Sequence, residues 1–152
     1  MIAIVLSLLG LFVSANGIQV KYNDCGNPRS DSIFRSIVIL GCRQQPCVFS
    51  SQKNLDFEME IILDETVSHF QVQIDARSYE YGTTKSLSTY TLQPPNCNSS
   101  KCKIRANDIR CIHPSLRLSD RPPANIDLFV SIYDQDRRNL GCAAFSLRVK
   151  DN

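Results

Sequence analysis

The 152-residue sequence predicts an all-β protein, a sandwich of two antiparallel sheets with roughly six to seven strands. Three observations predict it. Apolar and polar residues alternate at a period of two in four separate segments, the mark of half-buried strands. No segment sustains a helical period for more than a turn or two. Seven cysteines follow an apolar leader, which points to an oxidising compartment and a disulfide-stapled domain.

Residues 2–15 form one uncharged apolar run that ends in Val13-Ser14-Ala15. Small or apolar residues at its third-last and last positions suit a signal peptidase, so 1–15 reads as a signal peptide cleaved after Ala15. The run is too short to span a membrane, which takes about 20 apolar residues. Residues 16–152 then form a single domain with its own core, expected to be secreted and extracellular, with the endolysosomal lumen as a further destination. The formal charge is only +2, and its Lys and Arg residues are scattered, with no basic stripe interleaved with aromatics. That excludes nucleic acid as the expected partner and gives no strong pull toward anionic membranes.

Val20 to Asp24 is a short edge-strand candidate, and the Asn27-Pro28 step marks a loop after it. Ile33 to Leu40 is apolar and β-branched, a strand halted at Gly41. Leu55-Asp-Phe-Glu-Met-Glu-Ile-Ile-Leu63 alternates most cleanly. It sets Phe57, Met59 and Ile61 on one face and Asp56, Glu58 and Glu60 on the other. His69 to Ala76 repeats the pattern, with Phe70, Val72 and Ile74 inward. A looser segment begins at Tyr79 and Tyr81 and runs through Tyr90 to Pro94-Pro95. Ile104 to Ile112 reads as one irregular strand. Residues 114–123 are too proline-punctuated for a central strand and read as a connection or an edge. A hairpin closes the chain. Its first arm, Asn125 to Tyr133, turns Leu128, Val130 and Ile132 inward; its second, Ala143 to Val149, does the same with Phe145 and Leu147. Polar residues 134–139 join the arms.

The cysteines are 25, 42, 47, 97, 102, 111 and 142. Cys42-Arg-Gln-Gln-Pro-Cys47 and Cys97-Asn-Ser-Ser-Lys-Cys102 are turn-rich and short enough for each pair to close on itself. Cys25, Cys111 and Cys142 then remain. Cys25 precedes the first long strand and Cys142 opens the last, so these two are paired. Cys111, among apolar neighbours, is left as a buried free thiol. A zinc site built on Cys42/Cys47 and Cys97/Cys102 is the rival reading, disfavoured because a secreted chain oxidises such pairs. Asn98-Ser-Ser100 is a glycosylation sequon, so Asn98 is expected on an exposed loop.

Catalysis finds little support. The only histidines are His69 and His113. Cys111 and His113 would share one strand face about 7 Å apart, beyond hydrogen-bond reach. There is no phosphate-binding glycine loop, no metal set and no cofactor motif. The chain therefore reads as a non-enzyme. Its remaining resource is apolar: inner faces that either fill a core or part around a ligand, two cases that patterning cannot separate.

The order Val20-Lys-Tyr-Asn-Asp-Cys25, Gly41-Cys42, Gln45-Pro46-Cys47, Cys97, Cys102 and Leu140-Gly-Cys142 resembles the ML lipid-recognition family. Soluble members of that family include the Niemann–Pick type C sterol carrier and the group-two mite allergens. The resemblance spans the chain after the leader. It implies an immunoglobulin-like sandwich whose two sheets part to leave an apolar cavity. It also implies the pairs Cys25–Cys142, Cys42–Cys47 and Cys97–Cys102. Tyr90 matches an aromatic that helps line the family's pocket, and Leu118 matches a valine there. Arg121-Pro122 stands in place of a Tyr-Pro step. A more polar mouth at Arg121 suits a fatty acid or other anionic amphiphile as well as a sterol. The expected pocket is Phe57, Met59, Ile61, Phe70, Val72, Ile74, Tyr90, Leu118, Leu128, Val130 and Ile132. The expected partner is a hydrophobic lipid, with a membrane or receptor for its hand-over, and the protein is expected to be a monomer. The alternative is an immunoglobulin-like protein–protein recognition module without a lipid.

Overall fold

The computed structural model describes residues 17–26, 33–51, 53–80, 83–92, 103–118 and 122–150. The signal segment, Cys97–Cys102, Asn98 and Arg121 lie outside them. Eleven strands form among the described residues: β1 Gly17–Gln19, β2 Asn23–Asp24, β3 Phe34–Leu40, β4 Cys47–Ser50, β5 Leu55–Ile62, β6 Phe70–Glu80, β7 Thr83–Leu92, β8 Ile109–Ile112, β9 Ser115–Leu116, β10 Asn125–Asp134 and β11 Asn139–Lys150. They make two sheets. The first runs β1-β3-β5-β8 with β9 also on β5, and the second runs β2-β11-β10-β6-β7 with β4 also on β11.

The count exceeds the expected six or seven because short pieces pair at both edges. Val20 to Asp24 is not one strand. β1 pairs with β3 in the first sheet, and β2 pairs with β11 in the second, so the chain crosses between sheets at residues 20–22. Tyr22 anchors that crossing: its hydroxyl donates to the Phe34 carbonyl at 3.0 Å, and its ring meets the Phe34 ring edge-on at 5.8 Å. β4 adds to β11 in parallel, the one parallel pair among these strands. Ile104 stands apart from β8, bridged to Val67.

Alternation dictates the layers. β5 buries Leu55, Phe57, Met59 and Ile61 and turns Asp56 and Glu58 outward. β10 buries Ile126, Leu128, Val130 and Ile132, flanked by β6 in continuous register and by β11, whose register shifts only after Ile132. Each such side chain, fully buried, stabilises the fold by about 1.5–3 kcal/mol. β3, β5, β6, β10 and β11 feed one apolar cluster between the sheets.

Two disulfides staple this arrangement. Cys25–Cys142 joins β2's end to β11 across a sequence separation of 117. Cys42–Cys47 closes a loop at a separation of 5 and carries the chain from β3 in one sheet to β4 in the other. Gly41 begins that loop at a φ of 80°, a left-handed conformation that glycine adopts without a Cβ penalty.

The β10–β11 turn is fixed by one carboxylate. The Asp134 side chain is fully buried. Its Oδ1 accepts the backbone N–H groups of Asp136 and Arg138, each at 2.9 Å, and its Oδ2 accepts Arg138 Nε at 2.9 Å. Arg138 reaches on to Glu65. Burial opposes ionisation of Asp134, but the hydrogen bonds from Arg138 and Asp136 outweigh it, and the carboxyl lies below its ordinary pKa of 3.8. A lowered folded-state pKa gives stability that is present above the unfolded value and lost as pH falls through the folded one. Asp134→Asn is therefore expected to cost about 1.5–3 kcal/mol at pH 7, with the gap to the parent closing below about pH 4. Denaturant unfolding of both proteins across pH 2–7 reads this, and a gap that stays constant with pH would contradict it.

Candidate functional site

The interior between the sheets gathers every candidate side chain that the sequence placed there. Phe57, Met59 and Ile61 enter from β5; Phe70, Val72 and Ile74 from β6; Leu128, Val130 and Ile132 from β10. Leu118 is buried beyond β9. Tyr90 is half-buried against the same cluster, set opposite Ile74 on β7. Ile126, on the same face of β10 as Leu128, joins them, as do Ile37 and Ile39 of β3 and Leu116, which the sequence reading had as strand or connection residues without assigning them to the interior.

One polar atom sits in this apolar surround. Ser78 continues the inward row Phe70, Val72, Ile74, Ala76 on β6 and is 2% exposed. Its hydroxyl has no hydrogen-bond partner among the described residues. A buried hydroxyl left unpaired costs about 1–3 kcal/mol, so the interior holds a polar point that a ligand's own polar group can satisfy. The sequence reading ended the strand at Ala76 and so missed it; two more steps of the same alternation would have found it.

The outer faces are satisfied by the protein itself. Asp75 on β6 accepts from Arg77 Nε at 2.6 Å, Ser86 Oγ at 2.8 Å and Thr89 Oγ1 at 3.3 Å. Arg77 also stacks its guanidinium 4.6 Å from the Phe129 ring centre. Asp56 accepts from Ser115 at 2.6 Å. These contacts engage Asp75 and Asp56 as structure. His69 and His113 are exposed.

Among the described residues, hollows open beside two of the strand connections. A cavity of about 260 Å³ lies beside the Cys42–Cys47 loop, between β3, β4 and the start of β5. A smaller one, about 140 Å³, lies under Arg138 beside Glu65 and Leu140.

Cys111 corrects an expectation. Its thiol is free but exposed, not buried. β8 turns Ile112 inward, with 8% exposure, and alternation forces the neighbouring Cys111 outward, opposite Glu60. Ile109, one of the apolar neighbours that suggested burial, is itself 45% exposed. Cys111 should accordingly react with a thiol reagent in the folded protein, as located by peptide mass mapping. Labelling that waits for denaturant would contradict the outward placement. Cys42 and Cys47, joined to each other, supply no thiolates for the zinc alternative.

Two sheets of predominantly antiparallel strands, facing across an apolar interior and stapled at their edges, define an immunoglobulin-like β-sandwich. Comparison with known proteins narrows that class. The sequence model of the ML domain matches residues 19–149: the chain belongs to the ML-domain family. No curated protein matches it in sequence. Among solved structures, a Niemann-Pick type C2 protein from the Japanese carpenter ant is similar, with a TM-score of 0.61 and 15% identity over 86% of this chain and 100% of that one. Chicken MD-1, crystallised with lipid IVa, gives a TM-score of 0.52 and 16% identity over 84% and 86% of the two chains. The C-terminal domain of wzt gives 0.58 and 13% over 91% and 84%. At these identities the likeness is one of fold.

Proposed function

We propose that this protein is a secreted, monomeric lipid carrier without a catalytic step. It would hold a sterol, fatty acid or similar amphiphile between its sheets, the sheets parting around the ligand, and give it up to a membrane or receptor. The single observation that carries the reading is the interior itself: apolar side chains from both sheets in one cluster, with a buried hydroxyl at Ser78 that no described residue pairs. Membership of the ML-domain family and the likeness to MD-1, crystallised with lipid IVa, support it. Removal of the leader after Ala15, glycosylation at Asn98 and a Cys97–Cys102 bridge belong to the same proposal.

The energetics are sufficient. Several hundred Å² of ligand surface leaving water at about 25 cal/mol per Å² gives a gross gain on the order of 10 kcal/mol. Ordering costs reduce that to micromolar affinity or somewhat tighter. Mass spectrometry of an organic extract of the protein purified from a eukaryotic secretion host tests the reading. A defined amphiphile at about one per chain is expected. Extracts without lipid, together with no uptake of added sterol or fatty acid, would end it.

One observation favours a second reading. β8 is an outer strand of its sheet, and Ile109 stands exposed on it. An open edge of this kind offers backbone groups to another chain, as a protein–protein recognition module would use. A lipid-free protein that still binds a partner through that edge would support it.

A further inference from the structure

We propose that the cleft beside the Cys42–Cys47 loop is a second ligand site. It takes the acyl segment of an anionic amphiphile and holds the head group at Lys53. The inference does not rest on lipid carriage in the interior.

The cleft is built from both sheets. Ile39 at the end of β3 and Leu55 at the start of β5 give it an apolar floor, at 1% and 2% exposure, and half-buried Phe49 of β4 closes one side. Gly41 and the Cys42–Cys47 bridge lead the chain from β3 to β4 around it, so the hollow is part of the folded frame. At its rim stand two large apolar residues in water, Leu40 at 41% and Val48 at 38% exposure. Both gain by being covered.

Among the described residues, Lys53 is the only charged one that lines the cleft, and it makes no ion pair with any of them. The backbone N–H of Lys53 donates to the Ser50 carbonyl at 3.1 Å, which holds Lys53 beside the end of β4. An apolar floor with a cation at its edge that no described residue pairs fits a carboxylate, sulfate or phosphate on a short hydrocarbon chain. The volume sets the length. About 260 Å³ accepts roughly eight or nine methylenes if each fills about 30 Å³, the share of one water molecule in the liquid.

The test is a methyl NMR titration of the folded protein with dodecanoate and, separately, dodecanol. Dodecanoate is expected to shift the methyls of Ile39, Val48 and Leu55 saturably, and dodecanol to shift them less. Lys53 is exposed, so Lys53→Glu should fold normally. It is expected to weaken dodecanoate at these methyls about three- to tenfold, the loss of one attraction and gain of one repulsion at a surface site, and to leave dodecanol unchanged. The Leu128 and Val130 methyls report the interior independently. Cleft shifts with a silent interior would support this site and count against interior carriage. Still cleft methyls, or equal dodecanoate affinity in Lys53→Glu, would overturn the second site whatever the interior does.

Discussion

Replacing Cys25 with serine is expected to cost about 2–5 kcal/mol. The bridge to Cys142 spans 117 residues of sequence. In the chain-entropy account a closed loop of that size restricts the unfolded state by about 5 kcal/mol. Its removal also frees the β2 edge. Cys25 N–H donates to the Cys142 carbonyl at 3.2 Å, and β2 holds only two residue pairs on β11, too few to persist alone. For a domain of this size the melting temperature should fall on the order of 10–20 °C. The comparison is Cys42→Ser. That bridge closes a separation of only 5, worth about 2 kcal/mol on the same account. Calorimetry of the two variants should rank them in that order; equal losses would show that loop entropy is not the source.

Val130→Phe should separate stability from binding. Val130 is fully buried on β10, beside Ile74 on β6 and the small Ala143 on β11. In a core without ligand space the added ring overpacks and costs about 1–3 kcal/mol. In a sandwich that parts around a lipid, the ring takes ligand volume instead. The expected result is the second: a melting temperature of the delipidated variant within a few degrees of the parent, and affinity for a fluorescent sterol or fatty acid lowered at least about tenfold, or 1.4 kcal/mol. A destabilised variant that binds as tightly as the parent would remove the interior pocket.

Strands that face the core on one side were legible in the sequence, because burial writes a period of two into them. β5 and β10 begin and end within a residue of the expected positions. β11 begins four residues earlier than the expected Ala143, at Asn139, because the buried Asp134 carboxylate tightens the turn and leaves polar Asn139 within the ladder. β7 escaped notice as a strand. It lies on the outer edge of its sheet, and most of its Thr, Ser and Lys side chains are exposed, so it carries no alternation to read. β4 and β9 are too short for any pattern and exist through their partners, β11 and β5. The interior candidates could be named from sequence because apolar alternation marks them. Ser78 and Lys53 could not: one is significant because no described residue pairs with it, the other because a cleft lies beside it, and both are properties of the assembled chain.

The Cys25–Cys142 bridge also decides how this protein would bear a pull. Force applied at the two ends of the chain passes from one end to the other through that covalent link. A separation of 117 leaves 116 residues between the cysteines, and all of them lie outside the loaded path. At about 3.3–3.6 Å per residue, on the order of 400 Å of contour length is withheld from stretching. Only the flanks, with β1, β2 and residues 143–150 of β11, can be peeled away. The strands from β3 to β10, which lie between the two cysteines, remain mechanically shielded until the disulfide is reduced.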